Sequence, residues 1–440
     1  MRGAPLEPSL WAATAAPAPE TPELDESLAA DVLVVGAGYT GLSTAIHLAR
    51  RGVDVVVVEA REAGWGGSGR NAGHCTPTFA HHDVDEVRRM LGPEWGDRYV
   101  RLQADAAELV FGLIRDYEID CEARQNGYLQ VAHASSMMPA LAKRCEDFAA
   151  LGKGSTVLDA AEVAERTGSE RYFGGWLHPE GGHLNPLGYC RGLARAALGE
   201  GARLYTRSPV LALKHEGGKW RARTTKGSVA ADKVVIGTGA YTPPQLWPGL
   251  TDCFFVLTAY CLATQPLSEN VRSTVLPANN HVGDSRRDTH FFKRDDHGRI
   301  VTAGFLEWRR GRDMAFTREL MTRRFKWLFP QLSDLEWEYC WYGDIDFVRD
   351  LLPGLYELAP GVLTAFGYSG RGVPTATAMG RVLAEYAYGT PAHELAVRVS
   401  RPRPERARAL LRFAPSVVTP FYRRRDARLL ARDGIAAPPM

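Results

Sequence analysis

The clearest pattern in the chain begins with Asp31 to Val35 (DVLVV), a β-branched apolar run of strand length. It breaks into Gly36-Ala37-Gly38-Tyr39-Thr40-Gly41. Apolar residues then recur at helical spacing, Leu42, Ala45, Ile46, Leu48 and Ala49, as far as Gly52. A second run, Val53 to Val58, predicts another strand, closed by Glu59. Strand, glycine turn, helix and strand together have the form of a dinucleotide cradle. Gly36 permits the tight turn, Gly38 the approach of a diphosphate, and Gly41 the close packing of helix on strand, while the helix N-terminus offers free N–H groups. Glu59 stands about twenty residues on, where an acid takes a ribose diol. Its charge would repel a 2′-phosphate, which favours FAD or NAD over NADP.

Beyond the cradle, residues 84–117 alternate with helical period, and CEARQNGYLQVAH predicts two strand segments around an Asn126-Gly127 turn. SMMPALAKRCEDFAALG and DAAEVAERTG predict surface helices. A helix at YCRGLARAALGEG leads to a strand at RLYT, a meander turning at EGGKW, and the apolar strand KVVIGTGAY. From about 245 to 310 short aromatic-rich strands, such as FFVLTAYCLAT, predict a sheet wall and not a nucleotide fold. A helix at MAFTRELMTRRFKWLF and a strand at EWEYCWYGD follow, and VLTAFGYSGRGVPTATAMGRVLAEYAYG closes with strand, turn and helix. This divides the chain into an irregular arm (1–30), a discontinuous cofactor domain (31–83, 150–244 and 350–392), an inserted substrate domain (84–149 and 245–349) and a basic C-terminal extension (393–440).

Composition narrows the function classes. A chain of 440 residues suits two intimately packed domains. A net charge of +2 implies no general affinity for nucleic acid. The N-terminal stretch lacks an apolar core of signal-peptide length, and no run approaches transmembrane length, so no integral membrane segment is expected. Seven cysteines without a CxxC suit reduced thiols in the cytoplasm. His81-His82 has no neighbours in zinc-like spacing, so no metal is expected.

A second glycine-rich turn, GWGGSGRNAGH (64–74), follows the second strand directly. Each glycine there loses more backbone freedom on folding than another residue would, so something must approach that backbone closely. An NAD dehydrogenase has no such need, whereas FAD has a ribityl chain and a flavin ring to embed. The order Gly36-Gly38-Gly41, Glu59, Gly66-Gly67-Ser68-Gly69-Arg70-Asn71-Ala72-Gly73, VVIGTGAYT and GYSGRGV resembles the D-amino acid oxidase superfamily of flavoproteins. Within it, the chain is most similar to gamma-glutamylputrescine oxidase-like enzymes, from SLWAAT near the start to FYRRRDARL near the end. The resemblance implies an α/β fold: a Rossmann-like FAD-binding domain with an inserted α+β substrate domain, as in D-amino acid oxidase and glycine oxidase.

It also implies the cofactor contacts. Gly36, Gly38, Tyr39, Thr40, Gly41, Glu59, Ala60 and Val210 would serve the adenosine and diphosphate, with Thr238 and Gly239 passing nearby. Gly67, Ser68, Gly69, Arg70, Asn71, Ala72 and Gly73 would line the ribityl chain and flavin edge, and Gly367, Gly370, Arg371, Gly372 and Val373 the pyrimidine end. Pro374 suits the first turn of a helix whose N–H groups would favour negative charge there, to which Arg371 adds a full charge. The putrescine-type pattern has a histidine at the Arg371 position, and Arg371 is weighed against a surface salt bridge. Some relatives attach FAD covalently through a histidine at the place of Asn71. With Asn71 there, and with His74 and Cys75 read as packed loop residues and Cys340 outside the C-terminal turn, dissociable FAD is expected.

The implied reaction takes a hydride from the carbon beside an amine, giving an imine that water hydrolyses, with O2 or another electron acceptor reoxidising the flavin. Such chemistry demands no dedicated acid or base. Tyr260, Phe292, Trp341, Tyr342 and Tyr368 are candidates for an aromatic cage, against a plain sheet core. Asp344, Asp346 and Asp350 are candidates to attract an ammonium, and Arg349, His290 or Lys293 to hold a carboxylate, each against a solvated charge. His178, His183 and Asn185 are read as closing a turn. A flavin monooxygenase and a non-catalytic FAD-binding subunit remain rival readings, and oligomeric state is not encoded in any motif.

Overall fold

The computed structural model describes residues 6–79, 82–286, 291–307 and 313–438. The apolar runs become five parallel strands, in the order Val362–Phe366, Ser228–Ile236, Ser27–Val35, Val55–Val58 and Arg203–Tyr205. Their registers put Val35 beside both Val58 and Ile236, so the strands end together and their C-terminal turns share one edge. The runs are apolar throughout because both faces are covered. Val32, Val34, Val55 and Val57 meet a helix layer carrying Leu42, Ile46, Met379 and Leu383, while Leu33, Val35, Val56 and Val58 meet Leu246, Leu250 and Phe254. The helices Tyr39–Ala49 and Gly372–Tyr388 touch through backbone: Ser43 Oγ donates to Thr377 O (2.7 Å), Thr44 Oγ1 donates to Gly380 O (3.0 Å), and a Cβ on Gly380 would lie 2.6 Å from Thr40 O.

The remaining major sheet has eight strands, in the order Trp337–Phe347, Phe255–Thr264, Ile300–Phe305, Phe291–Arg294, His281–Asp284, Tyr128–Val131, Gly175–His178 and Thr156–Leu158. One face is covered by the helix Met314–Leu328, and the other is turned to the glycine turns of the first sheet.

Several boundaries differ from the sequence division. Thr156–Leu158 and Gly175–His178, assigned above to the cofactor domain, belong to the second sheet, because short strands do not announce their partners. The long helix Pro93–Asp116, assigned to the substrate domain, is laid against Gly372–Tyr388 on the nucleotide-binding side. The helical stretch 84–117 is two helices, split at Gly92-Pro93. Asn126-Gly127 does not turn a hairpin: Tyr128–Val131 pairs in parallel with His281–Asp284 and antiparallel with Gly175–His178.

The first and last described stretches are both docked on the body. The arm contains a helix, Leu10–Thr14, with Leu10 and Trp11 fully buried, and the first strand begins at Ser27. In the basic extension, Val399–Ser400 adds a strand, Glu405 pairs with Arg349, and Ala414–Arg432 buries Asp426 and Leu430. No helix among the described residues is long and apolar enough to cross a membrane.

Candidate active site

Between the two sheets lies a cavity of about 560 Å³. Its floor is the shared edge where the parallel strands end. In the first turn Gly36 has φ +104°, and a Cβ on Gly41 would lie 2.0 Å from Gly36 O, so only glycines allow this approach. Glu59 braces the turn from the next strand end. Its Oε2 accepts from Ala37 N–H and its Oε1 from Arg61 N–H, both at 2.8 Å.

The second turn winds a short helix, Gly67–Arg70, held by Asn71. The Asn71 amide nitrogen donates to Ser68 O (2.9 Å), Gly67 O and Tyr39 OH (both 3.2 Å), and its Oδ1 accepts from Gly73 N–H (2.8 Å). Two indoles fix the outer side: Trp11 Nε1 donates to Asn71 O and Trp341 Nε1 to Arg70 O, both at 2.8 Å. Gly73, at φ +75°, is pressed against the neighbouring chain, and a Cβ there would meet Leu184 O at 2.0 Å.

The third turn, Gly367 to Val373, hangs from Asp346. The buried Asp346 carboxylate accepts from Gly367 N–H, and its backbone carbonyl accepts from Ser369 N–H (3.1 Å). Burial pushes the Asp346 pKa up, against the backbone N–H groups that lower it. Tyr368 OH meets Thr40 Oγ1 at 2.7 Å and ties the third turn to the first. The helices Tyr39–Ala49 and Gly372–Tyr388 both present N-termini at this floor with no side-chain cap. Tyr39 N–H donates to Ser68 Oγ (3.0 Å), which ties the first helix end to the second turn, and a positive dipole end faces the cavity twice.

The opposite wall carries His74, Thr76, Tyr128, His281 and Phe291. His281 stacks on Tyr128 (centroids 4.7 Å apart), its Nε2 lies 3.1 Å from Thr76 Oγ1, and His74 sits 5.0 Å from it. Burial holds the pKa of both imidazoles well below the usual value, reinforced by the Lys293 and Arg371 charges, so both are neutral at pH 7. Both His74 ring nitrogens and His281 Nδ1 are buried without a hydrogen-bond partner among the described residues. Lys293 lies behind Gly73, fully buried, with Nζ donating to Leu184 O (2.6 Å) and 4.8 Å from the Trp11 ring centroid; burial lowers its pKa to about 8.

Of the residues read from sequence, Tyr39, Thr40, Gly67, Ser68, Arg70, Asn71, Ala72, Thr238, Gly239, Tyr368, Gly370, Arg371, Gly372 and Val373 line the cavity, as do Asp344 and Asp346. Arg371 makes no salt bridge among the described residues, and its buried Nε has no partner. Gly36, Gly38, Gly41, Gly69, Gly73 and Gly367 shape the turns from behind, and Glu59, Ala60 and Val210 lie beyond the lining.

Four expected catalytic residues are placed elsewhere. Tyr260 and Phe292 point to the opposite face of the sheet, into the core under Met314–Leu328, because Ala259, Cys261 and Phe291 take the cavity face. Trp341 is buried beneath the second turn, and Arg349 is 68% exposed in an ion pair with Glu405. Tyr342 packs with the Tyr260 cluster, and Asp350 also lies off the lining. His178 is enclosed by Phe148 and Trp176, His183 Nε2 bonds Asn279 O, and Asn185 caps the helix Pro186–Gly199. His81 and His290 lie outside the described residues. The wall residues His281, Thr76, Tyr128 and Arg286 carried no motif, and Tyr241 stood unremarked within GTGAYT.

The cradle suits FAD on its own geometry: three turns admit no side chain at their closest approaches, and two helix ends whose N-cap residues make no side-chain cap face one cavity. A family model described as FAD-dependent oxidoreductase matches residues 31–386. The chain is 32% identical over 367 residues to gamma-glutamylputrescine oxidoreductase of Escherichia coli, covering 83% of this chain and 85% of that one. It is 25% identical over 372 residues to glycine oxidase of Bacillus licheniformis, covering 82% and 94%. Among solved structures, L-amino acid deaminase from Proteus myxofaciens superposes with a TM-score of 0.70 at 17% identity, covering 86% of this chain and 94% of that one. Glycine oxidase from Geobacillus kaustophilus superposes with a TM-score of 0.67 at 20% identity, covering 82% and 95%.

Proposed function

Since the chain belongs to the family of FAD-dependent oxidoreductases, we propose that it oxidises the C–N bond of a primary or secondary amine or amino acid. The observation that carries this reading is the cavity itself, walled on one side by the second and third glycine turns with Arg371 and on the other by the neutral His74 and His281. FAD, when bound, supplies the acceptor for the hydride from the carbon beside nitrogen.

The chain's own residues do the rest. The first turn and the N-terminus of Tyr39–Ala49 hold the diphosphate, with Thr238 and Gly239 beside it. Glu59 takes the ribose, with Ala60 and Val210 near the adenine. Gly67 to Gly73 line the ribityl chain and flavin edge, and Arg371 with the N-terminus of Gly372–Tyr388 favours negative charge at the pyrimidine end. The neutral imidazoles leave this wall without charge, so it does not repel a protonated amine on entry. Asn71, spent on three hydrogen bonds within its turn and one to Tyr39 OH, offers no nucleophile, which supports non-covalent FAD. Seven unpaired cysteines support residence in the cytoplasm. O2 or another acceptor reoxidises the flavin.

The test is anaerobic addition of amines and amino acids to the yellow protein. Bleaching of the flavin band, slowed by deuterium on the carbon beside nitrogen, is expected. Failure of every amine together with rapid reduction by NADPH would overturn the reading in favour of a monooxygenase, and no reduction by either would leave an FAD-binding subunit.

A further inference from the structure

Single apolar side chains scattered over a surface are ordinary, but a cluster of them needs a partner. Of the eight large exposed apolar side chains among the described residues, four fall in the C-terminal extension: Leu410, Val417, Val418 and Phe421, 38 to 74% exposed. Leu410 lies on the short helix Arg408–Leu411, and the other three on the helix Ala414–Arg432 that follows it. Arg424, Arg425, Arg428 and Arg432 continue the exposed side of that helix, at the three- and four-residue spacing that keeps them in line with Val417 and Phe421. None of these four arginines makes an ion pair among the described residues.

The acids of the same stretch are already committed. Glu405 pairs with Arg349, the buried Asp426 lies 3.6 Å from His133 Nε2, and Asp433 accepts from Ser135 N–H (2.9 Å) and Ser135 Oγ (2.6 Å). The inner side of the helix is fastened to the body, with Arg423 on Glu307 (2.8 Å) and Leu430 fully buried. One side is therefore held, and the side presented to solvent is apolar in its first half and cationic in its second. Residues 393–440 hold eleven arginines and four acids, whereas residues 1–392 carry more acids than bases, so a net charge of +2 conceals a basic face on an acidic body.

We propose that this face docks the protein on an anionic lipid surface. Val417 and Arg432 are about 22 Å apart along the helix, so one flat surface meets the apolar and the cationic groups together. The apolar side chains enter the boundary between headgroups and acyl chains, and the guanidinium groups pair with lipid phosphates. The acidic body is repelled by the same surface, which orients the molecule. A second copy is a poorer occupant, because a two-fold contact over this face sets one row of unpaired arginines against the other. Nucleic acid offers phosphates but nothing apolar for Val417 and Phe421 to enter. Asp433 fastens the end of the helix to Ser135, and Met137, in the same turn Ser135–Met137, lines the cavity, so the docking face and the cavity share a structural element.

The holoenzyme is sedimented with sucrose-loaded vesicles and the bound protein is read on a gel. Wild type is expected to sediment with vesicles of about one third phosphatidylglycerol in phosphatidylcholine at about 50 mM NaCl, and at least about tenfold less with pure phosphatidylcholine or at about 0.5 M NaCl. The combined changes Arg424→Gln, Arg425→Gln and Arg428→Gln should lower the partition coefficient about a hundredfold. The pair Val417→Ser and Phe421→Ser should lower it at least about tenfold. All five side chains are exposed, and thermal melting checks that the variants fold; where either melts early, the single changes Arg428→Gln and Phe421→Ser decide. No sedimentation of wild type with the anionic vesicles, equal sedimentation with the neutral ones, or an undiminished partition in either variant would overturn the proposal. So would self-association in sedimentation velocity that Phe421→Ser abolishes, since the face would then belong to a second copy. None of these readings depends on amine oxidation, so this inference and the amine reading stand or fall separately.

Discussion

Replacing Lys293 by methionine should reveal an ionisation that opposes folding at neutral pH. The ammonium is buried behind Gly73 and its pKa lies at about 8, against 10.5 in an exposed lysine. At pH 7 it is protonated in both folded and unfolded chains, and the folded protein bears the full cost of burying the charge. At about 1.4 kcal/mol per pKa unit this is about 3 kcal/mol. Between pH 8 and 10.5 the folded state releases the proton while the unfolded state keeps it. The unfolded chain then binds more protons, and stability rises with pH.

Methionine keeps the packing volume and has nothing to titrate. It loses the hydrogen bond to Leu184 O and the contact with Trp11, together worth about 2 kcal/mol, so at pH 7 the two proteins should be close in stability. Urea unfolding followed by tryptophan fluorescence, at fixed saturating FAD, gives the comparison at pH 7, 8, 9 and 10. Wild type should gain on Lys293→Met by about 2 to 3 kcal/mol across that range. Parallel pH profiles for the two proteins would refute the buried ammonium.

Acid precipitation should leave FAD in the supernatant, and flavin retained in the pellet would refute the role of Asn71 as the residue that replaces a covalent attachment. Asn71→Ala removes four hydrogen bonds from the second turn and should raise the FAD dissociation constant by at least about tenfold, read by fluorescence of released flavin. Glu59→Ala should weaken FAD binding by roughly 1.5 to 3 kcal/mol without unfolding the protein, and an unchanged dissociation constant would remove it from the ribose site. Gly73→Ala and Gly52→Ala both place alanine at φ +75°, but only the first meets another backbone, at 2.0 Å; Gly73→Ala should cost at least about 2 kcal/mol more in chemical denaturation, and equal costs would deny the close approach.

The cradle was readable because its signals are local. A β-branched run, a glycine turn and a helical period fit within thirty residues, and each part supports the next. Partners across the sheet were not readable. Tyr128–Val131 has the alternation of a strand, yet its parallel neighbour lies some 150 residues away, and Asn126-Gly127 turns toward it without making a hairpin. Side-chain direction failed for the same reason. Tyr260 and Phe292 look like lining residues until the helix Met314–Leu328 covers their face, and which face it covers is a tertiary fact. Arg349 stands near a strand end aimed at the site, but Glu405 in the extension draws it outward.

The short helix Leu10–Thr14 changes what counts as the edge of this protein. Trp11 holds the carbonyl of Asn71, packs edge-on against Trp341 at 5.7 Å and faces the Lys293 ammonium; Glu7 pairs with Arg70 at 2.6 Å, and Thr14 Oγ1 accepts from Asn185 at 3.0 Å. Everything this segment grips belongs to the second glycine turn or its supports, while the stretch from Ala15 to Glu26 that ties it to the first strand contains no helix or strand. In effect the protein carries its own peptide ligand on a strap that is itself pinned, with Ala16 O and Pro17 O accepting from Arg191 and Arg195 and Leu24 N–H donating to Ser208 Oγ, so effective concentration stands in for intrinsic affinity. Clipping the strap between Thr14 and Ala16, ahead of its first anchor, would convert that intramolecular contact into an ordinary bimolecular equilibrium, so that dilution alone loosens the second glycine turn, and a tag fused ahead of the helix is an edit to the active site.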